Sequence, residues 1–338
     1  MKAIVAGVAV LGICGAFAEE KIDWQTPQQV LASIEVGKTP KKPRAWQSPR
    51  GSVVLHGDFF GDGRHLALVG GAGTSWAVVK DGEWEVAGEL DVEPAWVPEG
   101  KFKSDERFIR YYHCNPPEVP FVLKDLNGDN VPEVLVAFNY GHRTGYTIAR
   151  KEGQGIKLLD LYSTSGEPEW TGTYLVVTTW DSGRKAWGSE QTYYRWEEGV
   201  PVAVAAWQDD TRDPEKLRSV AVRHEADGKD QRFDLLQNED GSWSVRRLDS
   251  KGDGETKAEE EFARIVVKVD PAHELDSDAL RAEEAIIFEL LTGIPATAMR
   301  NPYWGGESFD FGKSASWIQV TVEGGDEAKT LLKRVTKR

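Results

Sequence analysis

The chain has 338 residues and is acidic, with 55 Asp and Glu against 41 Lys and Arg and a formal net charge of −14. Nucleic acids and anionic membranes are therefore unfavourable partners, because an acidic surface repels them. Beyond residue 18, Cys114 is the only cysteine, so the mature chain would have no second cysteine for an internal disulfide.

The first 18 residues have the pattern of a secretory signal peptide. Lys2 precedes an apolar run over residues 3–17, and Ala16 and Ala18 form a small-x-small cleavage site. The run is shorter than the about 20 residues that a membrane-spanning helix needs. The sequence thus predicts an exported protein, periplasmic or extracellular, with no membrane insertion.

Residues 19–51 predict one short helix and a linker. Thr26 and Gln29 form a capping box, and Pro27 stands at the first helical position. The apolar face of this helix would consist of Val30, Leu31 and Ile34. Residues 37–51 are basic and rich in proline, as expected for an extended connector.

Residues 52–255 contain many short β-type segments separated by turn residues. Three of the turns, KDGEW, EEGVP and NEDGSW, are typical of β-hairpins. This pattern predicts a mainly β, repeat-containing domain of short antiparallel strands, either β-propeller-like or an irregular β-sandwich.

Residues 256–338 predict an α+β C-terminal region. The segments FARIVVKV and SWIQVTV have strand patterns, and a helix capped by Ser277 would end at Gly293. The segment DEAKTLLKRV predicts a last helix.

An oxygen-rich loop within FVLKDLNGDNVPEVLVAF is the strongest candidate site. Counting Asp125 as position one, Asn127 is at three, Asp129 at five, the Val131 carbonyl at seven and Glu133 at nine. Calcium prefers such oxygen ligands, and carboxylates this close would repel one another without a cation. The loop therefore predicts a structural calcium ion held by these five residues.

This loop resembles those of FG-GAP or VCBS-type repeats, which belong to extracellular β-propellers. The resemblance covers residues 121–138 and departs from the family pattern at Asn130, where Gly is usual, and at Glu133, where Asp is usual. It implies a calcium loop in a propeller-like domain. An EF-hand is excluded because Val136 stands where its bidentate Glu would be.

Two degenerate copies of the frame are present, at residues 57–70 and 209–222. Asp58 and Asp62 keep positions one and five, but Phe60 and Leu66 replace two ligands and are expected to turn into the core. The later copy contains Asp209, Thr211 and Asp213, with Leu217 at position nine. The spacing of the copies is irregular, so the propeller-like and sandwich alternatives both stay open. For the loop from Asp125 to Glu133, the alternative to a calcium site is an Asx turn with acids that face solvent.

Sequence motifs of catalysis are absent, and no catalytic residue is assigned. The chain has no Gly-x-Ser-x-Gly, no His-Glu-x-x-His and no glycine-rich phosphate loop, and His142 is the best single candidate for chemistry. We expect a non-catalytic binding or cell-envelope protein whose ligand is a protein or a glycan. The alternative is an exported hydrolase that acts on polysaccharide or peptide.

Overall fold

The computed structural model describes residues 25–47, 53–70, 73–92, 121–140, 143–181, 188–210, 218–223, 230–250, 256–269, 278–299, 318–326 and 328–330. The predicted signal peptide, Cys114 and His142 lie outside these ranges.

Two helices and eighteen strands make up the described chain. The helices are α1 (Pro27–Leu31) and α2 (Asp278–Thr292), and a 3-10 turn follows at Ala296–Ala298. The first strands are β1 (Arg44–Gln47), β2 (Val53–Gly57), β3 (Leu66–Gly70), β4 (Thr74–Lys80), β5 (Glu83–Leu90), β6 (Phe121–Lys124), β7 (Glu133–Tyr140), β8 (Arg143–Glu152) and β9 (Gly155–Ser163). They are followed by β10 (Glu169–Trp170), β11 (Leu175–Asp181), β12 (Gly188–Glu197), β13 (Val200–Asp210), β14 (Arg218–Arg223), β15 (Asp230–Gln237), β16 (Trp243–Ser250), β17 (Thr256–Val269) and β18 (Ile318–Gly324).

The strands form three antiparallel sheets in which each strand pairs with its neighbours in sequence. Sheet I contains β1 to β5, sheet II contains β6 to β9, and sheet III contains β10 to β18. The prediction of a mainly β fold of antiparallel strands with a C-terminal helical and strand region is confirmed. Ser250 pairs with Thr256, so the predicted boundary at residue 255 falls between two paired strands of sheet III.

The three sheets are stacked through shared apolar clusters. Leu66 and Leu68 of β3 pack with Val134 and Val136 of β7, which joins sheet I to sheet II. On the other face of sheet II, Leu135 and its neighbours pack against strands β11 and β12 of sheet III. Successive antiparallel meanders thus pack face to face, as in a sandwich. No ring of blades closes within the described residues.

Local sequence signals correctly located several elements. The Thr26 hydroxyl accepts from the Gln29 N–H at 3.3 Å, and the Gln29 side chain accepts from the Thr26 N–H at 2.9 Å. This is the predicted capping box, and α1 buries Val30, Leu31 and Ile34 against the outer face of sheet I. The hairpin turns at residues 81–82 and 198–199 have the positive φ angles of type I′ turns.

Helix α2 packs on sheet III and ends at the predicted glycine. The centroid of the Phe288 ring lies 4.7 Å from that of the Tyr193 ring and 6.1 Å from that of the Trp207 ring. Gly293 takes a φ of 75°, which ends the helix. Neither described helix is long and apolar enough to cross a membrane. The predicted last helix is described only at residues 326 and 328–330, which are helical.

Candidate metal centre

The oxygen-rich segment is the turn of the β6–β7 hairpin. Residues 125–132 join Lys124 to Glu133, which pair directly across the two strands. Buried neighbours hold both ends, since Leu126 and Val134 are fully inaccessible. The hairpin thus fixes both ends of the loop, with Asp125 at one and Glu133 at the other.

Three successive Asx turns shape this loop. Asp125 Oδ1 accepts from the Asn127 N–H at 3.2 Å, and Asn127 Oδ1 accepts from the Asp129 N–H at 2.9 Å. Asp129 Oδ1 then accepts from the Val131 N–H at 2.6 Å. Because each bond reaches two residues ahead, the alternate spacing of the three polar residues sets the curvature of the loop.

The structure brings Asn127, Asp129 and Glu133 together at one point. Asn127 Nδ2 donates to Asp129 Oδ2 at 2.9 Å and to Glu133 Oε1 at 3.0 Å. The other Glu133 oxygen accepts from the Leu126 N–H at 2.8 Å. An amide N–H group therefore stands where the two carboxylates converge.

The side chains of Asp125 and Val131 do not point to this meeting point of Asn127, Asp129 and Glu133. Asp125 directs its carboxylate at the loop backbone, accepting from the Gly128 N–H at 2.7 Å and the Asn130 N–H at 3.0 Å. The Val131 side chain is exposed. In the part of the chain that the structure describes, no three His, Cys, Asp or Glu side chains are grouped closely enough to hold a metal ion as they stand.

Glu133 is the buried acid of the loop. Its side chain is only 5% exposed. Burial, the largest cause, and the nearby carboxylates of Asp129 and Asp125 together raise the pKa of Glu133 to about 7, although the hydrogen bond from the Leu126 N–H acts in the opposite direction. Within the described ranges, no Lys or Arg forms an ion pair with any of these three acids; the adjacent Lys124 pairs with Glu167 instead.

The β2–β3 hairpin carries a loop of the same length and geometry. Residues 58–65 join the paired Gly57 and Leu66. The Gly63 N–H donates to Asp58 Oδ2 at 2.9 Å, as the Asn130 N–H does to Asp125. Gly63 and Asn130, at equivalent positions, both have positive φ, which explains how Asn, tolerant of this conformation, replaces Gly.

In this second loop, cationic side chains of the protein itself neutralise the acid Asp62. Asp62 Oδ2 is paired with Arg64 Nη2 at 2.6 Å and with Lys151 Nζ at 2.7 Å, and these contacts hold the pKa of Asp62 well below its usual range. Phe60 and Leu66, which replace two ligands, are buried as predicted. The loop thus keeps its turn geometry with side-chain cations in contact with its acid.

Two tryptophans of sheet III support the β6–β7 loop. Trp196 Nε1 donates to the Leu126 carbonyl at 2.7 Å. The Trp170 ring lies over Gly128, where a Cβ atom would approach its Nε1 to 3.2 Å. Sequence reasoning missed both contacts, since nothing in the spacing of these residues indicates that sheets II and III meet here.

The remaining candidates are only partly described. Asp209 lies within β13, where it pairs with Arg218, and residues 211–217 of the later copy lie outside the described ranges. The same holds for His142, so the structure does not bear on its predicted candidacy.

Comparison with known proteins gives no family assignment. No family model and no curated protein matches the chain. Among solved structures, that of a Xanthomonas type IV secretion system related protein aligns with 16% identity and a TM-score of 0.27. The alignment covers 68% of this chain and 97% of that chain. This likeness is too weak to assign a fold or a function.

Proposed function

We propose that this chain is an exported, non-catalytic binding protein of the cell envelope or exterior, with a calcium ion that stabilises its β6–β7 loop. One observation carries the calcium assignment. Two hairpin loops share one geometry, but only the β2–β3 loop has cationic side chains against its acid. The β6–β7 loop has three acids and no such partner among the described residues.

The chemistry of the donor set fits calcium. Asp129 Oδ2 and Glu133 Oε1 already lie within hydrogen-bonding distance of one point. The Asn127 amide now places its nitrogen at this point, so binding of an ion would require the amide to turn its oxygen inward. The Asp125 carboxylate and Val131 carbonyl would complete the proposed set. An ion there would neutralise the charge that Glu133 would carry when ionised in its buried position.

The ion's role would be structural. Leu126 accepts a hydrogen bond from Trp196, so the loop is part of the contact between sheets II and III. Fixing the loop would therefore fix this contact. The N-terminal export pattern and the resemblance to extracellular repeats support a binding role for the rest of the surface, with a protein or a glycan as ligand.

Calcium titration tests the proposal. We expect calcium to raise the melting temperature of the mature chain, since a ligand in 100-fold excess over its Kd adds about 2.7 kcal/mol to the free energy of unfolding. Asp129→Ala should abolish this increase. Asp62→Ala is the matched control, because Asp62 is the equivalent residue of the other loop, and it should retain the calcium response.

Two results would contradict the proposal. The first is identical melting of the wild-type chain in excess chelator and in millimolar calcium. The second is an equal calcium response in Asp129→Ala and the wild type. The export part is tested separately, by mass spectrometry of the protein secreted by a host cell, where we expect an N-terminus at Glu19.

A further inference from the structure

The N-terminal strap, residues 25–47, covers the outer face and one edge of sheet I. Helix α1 packs its apolar residues against that face, and β1 pairs with β2 along the edge. Two hydrogen bonds add to the contact: Trp84 Nε1 donates to the Ile34 carbonyl at 3.1 Å, and the Asp58 N–H donates to the Pro40 carbonyl at 2.8 Å.

Two histidines meet beside this strap. His56 Nδ1 and His65 Nε2 are 3.0 Å apart, so one nitrogen donates a proton and the other accepts it. An imidazole that accepts must be neutral, because imidazolium has only donors. The pair is therefore intact only while at least one ring is uncharged.

The surroundings of the pair disfavour positive charge. His65 is only 5% exposed and lies against the Trp84 ring at 4.7 Å between ring centroids. Its Nδ1 atom is buried with no hydrogen-bond partner among the described residues. A proton added there would place an unpaired charge in a nonpolar environment.

Charged groups on the neighbouring strands do not offset the positive charge that protonation of the histidine pair would add. Arg44 of β1 stands directly opposite His56 in the strand register. On β5, Glu83 and Glu85 flank Trp84 and so face the opposite side of the strand. Asp58, the first residue after β2, directs Oδ2 at the Gly63 N–H. Two protonated imidazoles would thus meet a third cation.

The direction of the pH dependence follows from burial. Burial lowers the pKa of His65 to about 4, and burial and the Arg44 charge lower that of His56. Both would titrate near 6.5 in the unfolded chain. Lowered pKa values mean that the pair contributes its full stability above pH 6.5 and that this contribution is lost as the pH falls toward 4.

We propose that His56 and His65 form an acid-sensitive latch that holds the N-terminal strap on sheet I. At neutral pH the histidine pair joins β2 to the start of β3 next to the strap. In acid, the two imidazolium rings and Arg44 repel one another. The β1–β2 pairing then opens, and the apolar face beneath α1, which includes Val54, Ala67 and Val69, becomes accessible.

Hydrogen exchange of the full mature chain tests the latch. Protection factors, corrected for the intrinsic pH dependence of exchange, are measured at pH 7.5 and pH 4.5. We expect the β1 and α1 amides to lose at least tenfold in protection at the lower pH, while those of β12 are unchanged. In the double variant His56→Gln with His65→Gln, this loss should disappear.

Arg44→Gln provides the second measurement, because it removes an exposed charge without altering the two histidines. It should move the midpoint of strap opening to lower pH. The proposal is overturned by equal protection of the strap at both pH values, by the same loss in a folded double variant, or, should that variant not fold, by an unchanged midpoint in Arg44→Gln.

Discussion

At the scale of single residues, Trp76 shows how tightly sheets I and II approach. A Cβ atom on Gly88 would lie 2.5 Å from Trp76 Nε1, and one on Gly155 would lie 2.8 Å from Trp76 Cη2. Real Cβ atoms do not come this close to other heavy atoms. The indole therefore occupies space that two glycines leave open, one on β5 and one on β9.

This packing predicts a cost for the smallest possible side chain. Gly155→Ala should lower the free energy of unfolding by about 1–3 kcal/mol, the usual range for overpacking a core. Gly73→Ala is the matched control, since nothing lies within 4 Å of its Cβ position, and it should be neutral. Urea unfolding measures both, and equal stability of the two variants would contradict the steric account.

The sequence predicted the candidate site in part, and the division has a physical basis. The offsets among Asp125, Asn127 and Asp129 determine local Asx turns, which depend on chain neighbours alone. The contacts of Trp170 and Trp196 with the same loop depend on how separate sheets pack, which the spacing of residues does not encode. The sequence also gave no sign that Glu133 would be the buried acid.

At the scale of elements, the two equivalent hairpin loops share their backbone hydrogen bonds but differ in the charged groups around their acids. The bonds of Asp58 and Asp125 to the amide five residues ahead are the same. The charge partners differ. Arg64 is close in sequence to Asp62 and could have been noticed, whereas Lys151 comes from β8 of another sheet and could not.

A double-mutant cycle measures the charge partner of the β2–β3 loop. Lys151→Gln should cost about 0.2–1 kcal/mol of stability, the range for partly exposed ion pairs. In an Asp62→Asn background, the same change should cost almost nothing, because the pair is already gone. Urea unfolding of the four proteins gives the coupling energy. Fully additive costs would show that Lys151 does not stabilise Asp62.

At the scale of the whole molecule, the layers follow from strand burial on both faces. All residues of β3 are buried, since one face meets α1 and the other meets sheet II. The sequence indicated strands and hairpins through turn residues and alternation. It did not indicate the order of stacking, because continuous apolar strands fit any two-sided burial.

The last prediction concerns how sheets II and III depend on each other. Leu175 of β11 is fully buried in the cluster that joins the two sheets. Ile287 of α2 is also fully buried, but within the separate core of sheet III. Leu175→Ala and Ile287→Ala should each cost about 2–5 kcal/mol, because each deletes a large aliphatic side chain from a packed core.

The two variants should differ in cooperativity. Leu175→Ala weakens the contact between sheets, so hydrogen exchange of β7 and of β15 should report different opening free energies. Ile287→Ala leaves that contact intact. The difference in opening free energy between β7 and β15 should therefore stay as it is in the wild type. If Leu175→Ala lowered the opening free energies of β7 and β15 equally, this expectation would be contradicted. Sheets II and III would then open as one unit even with the cluster weakened.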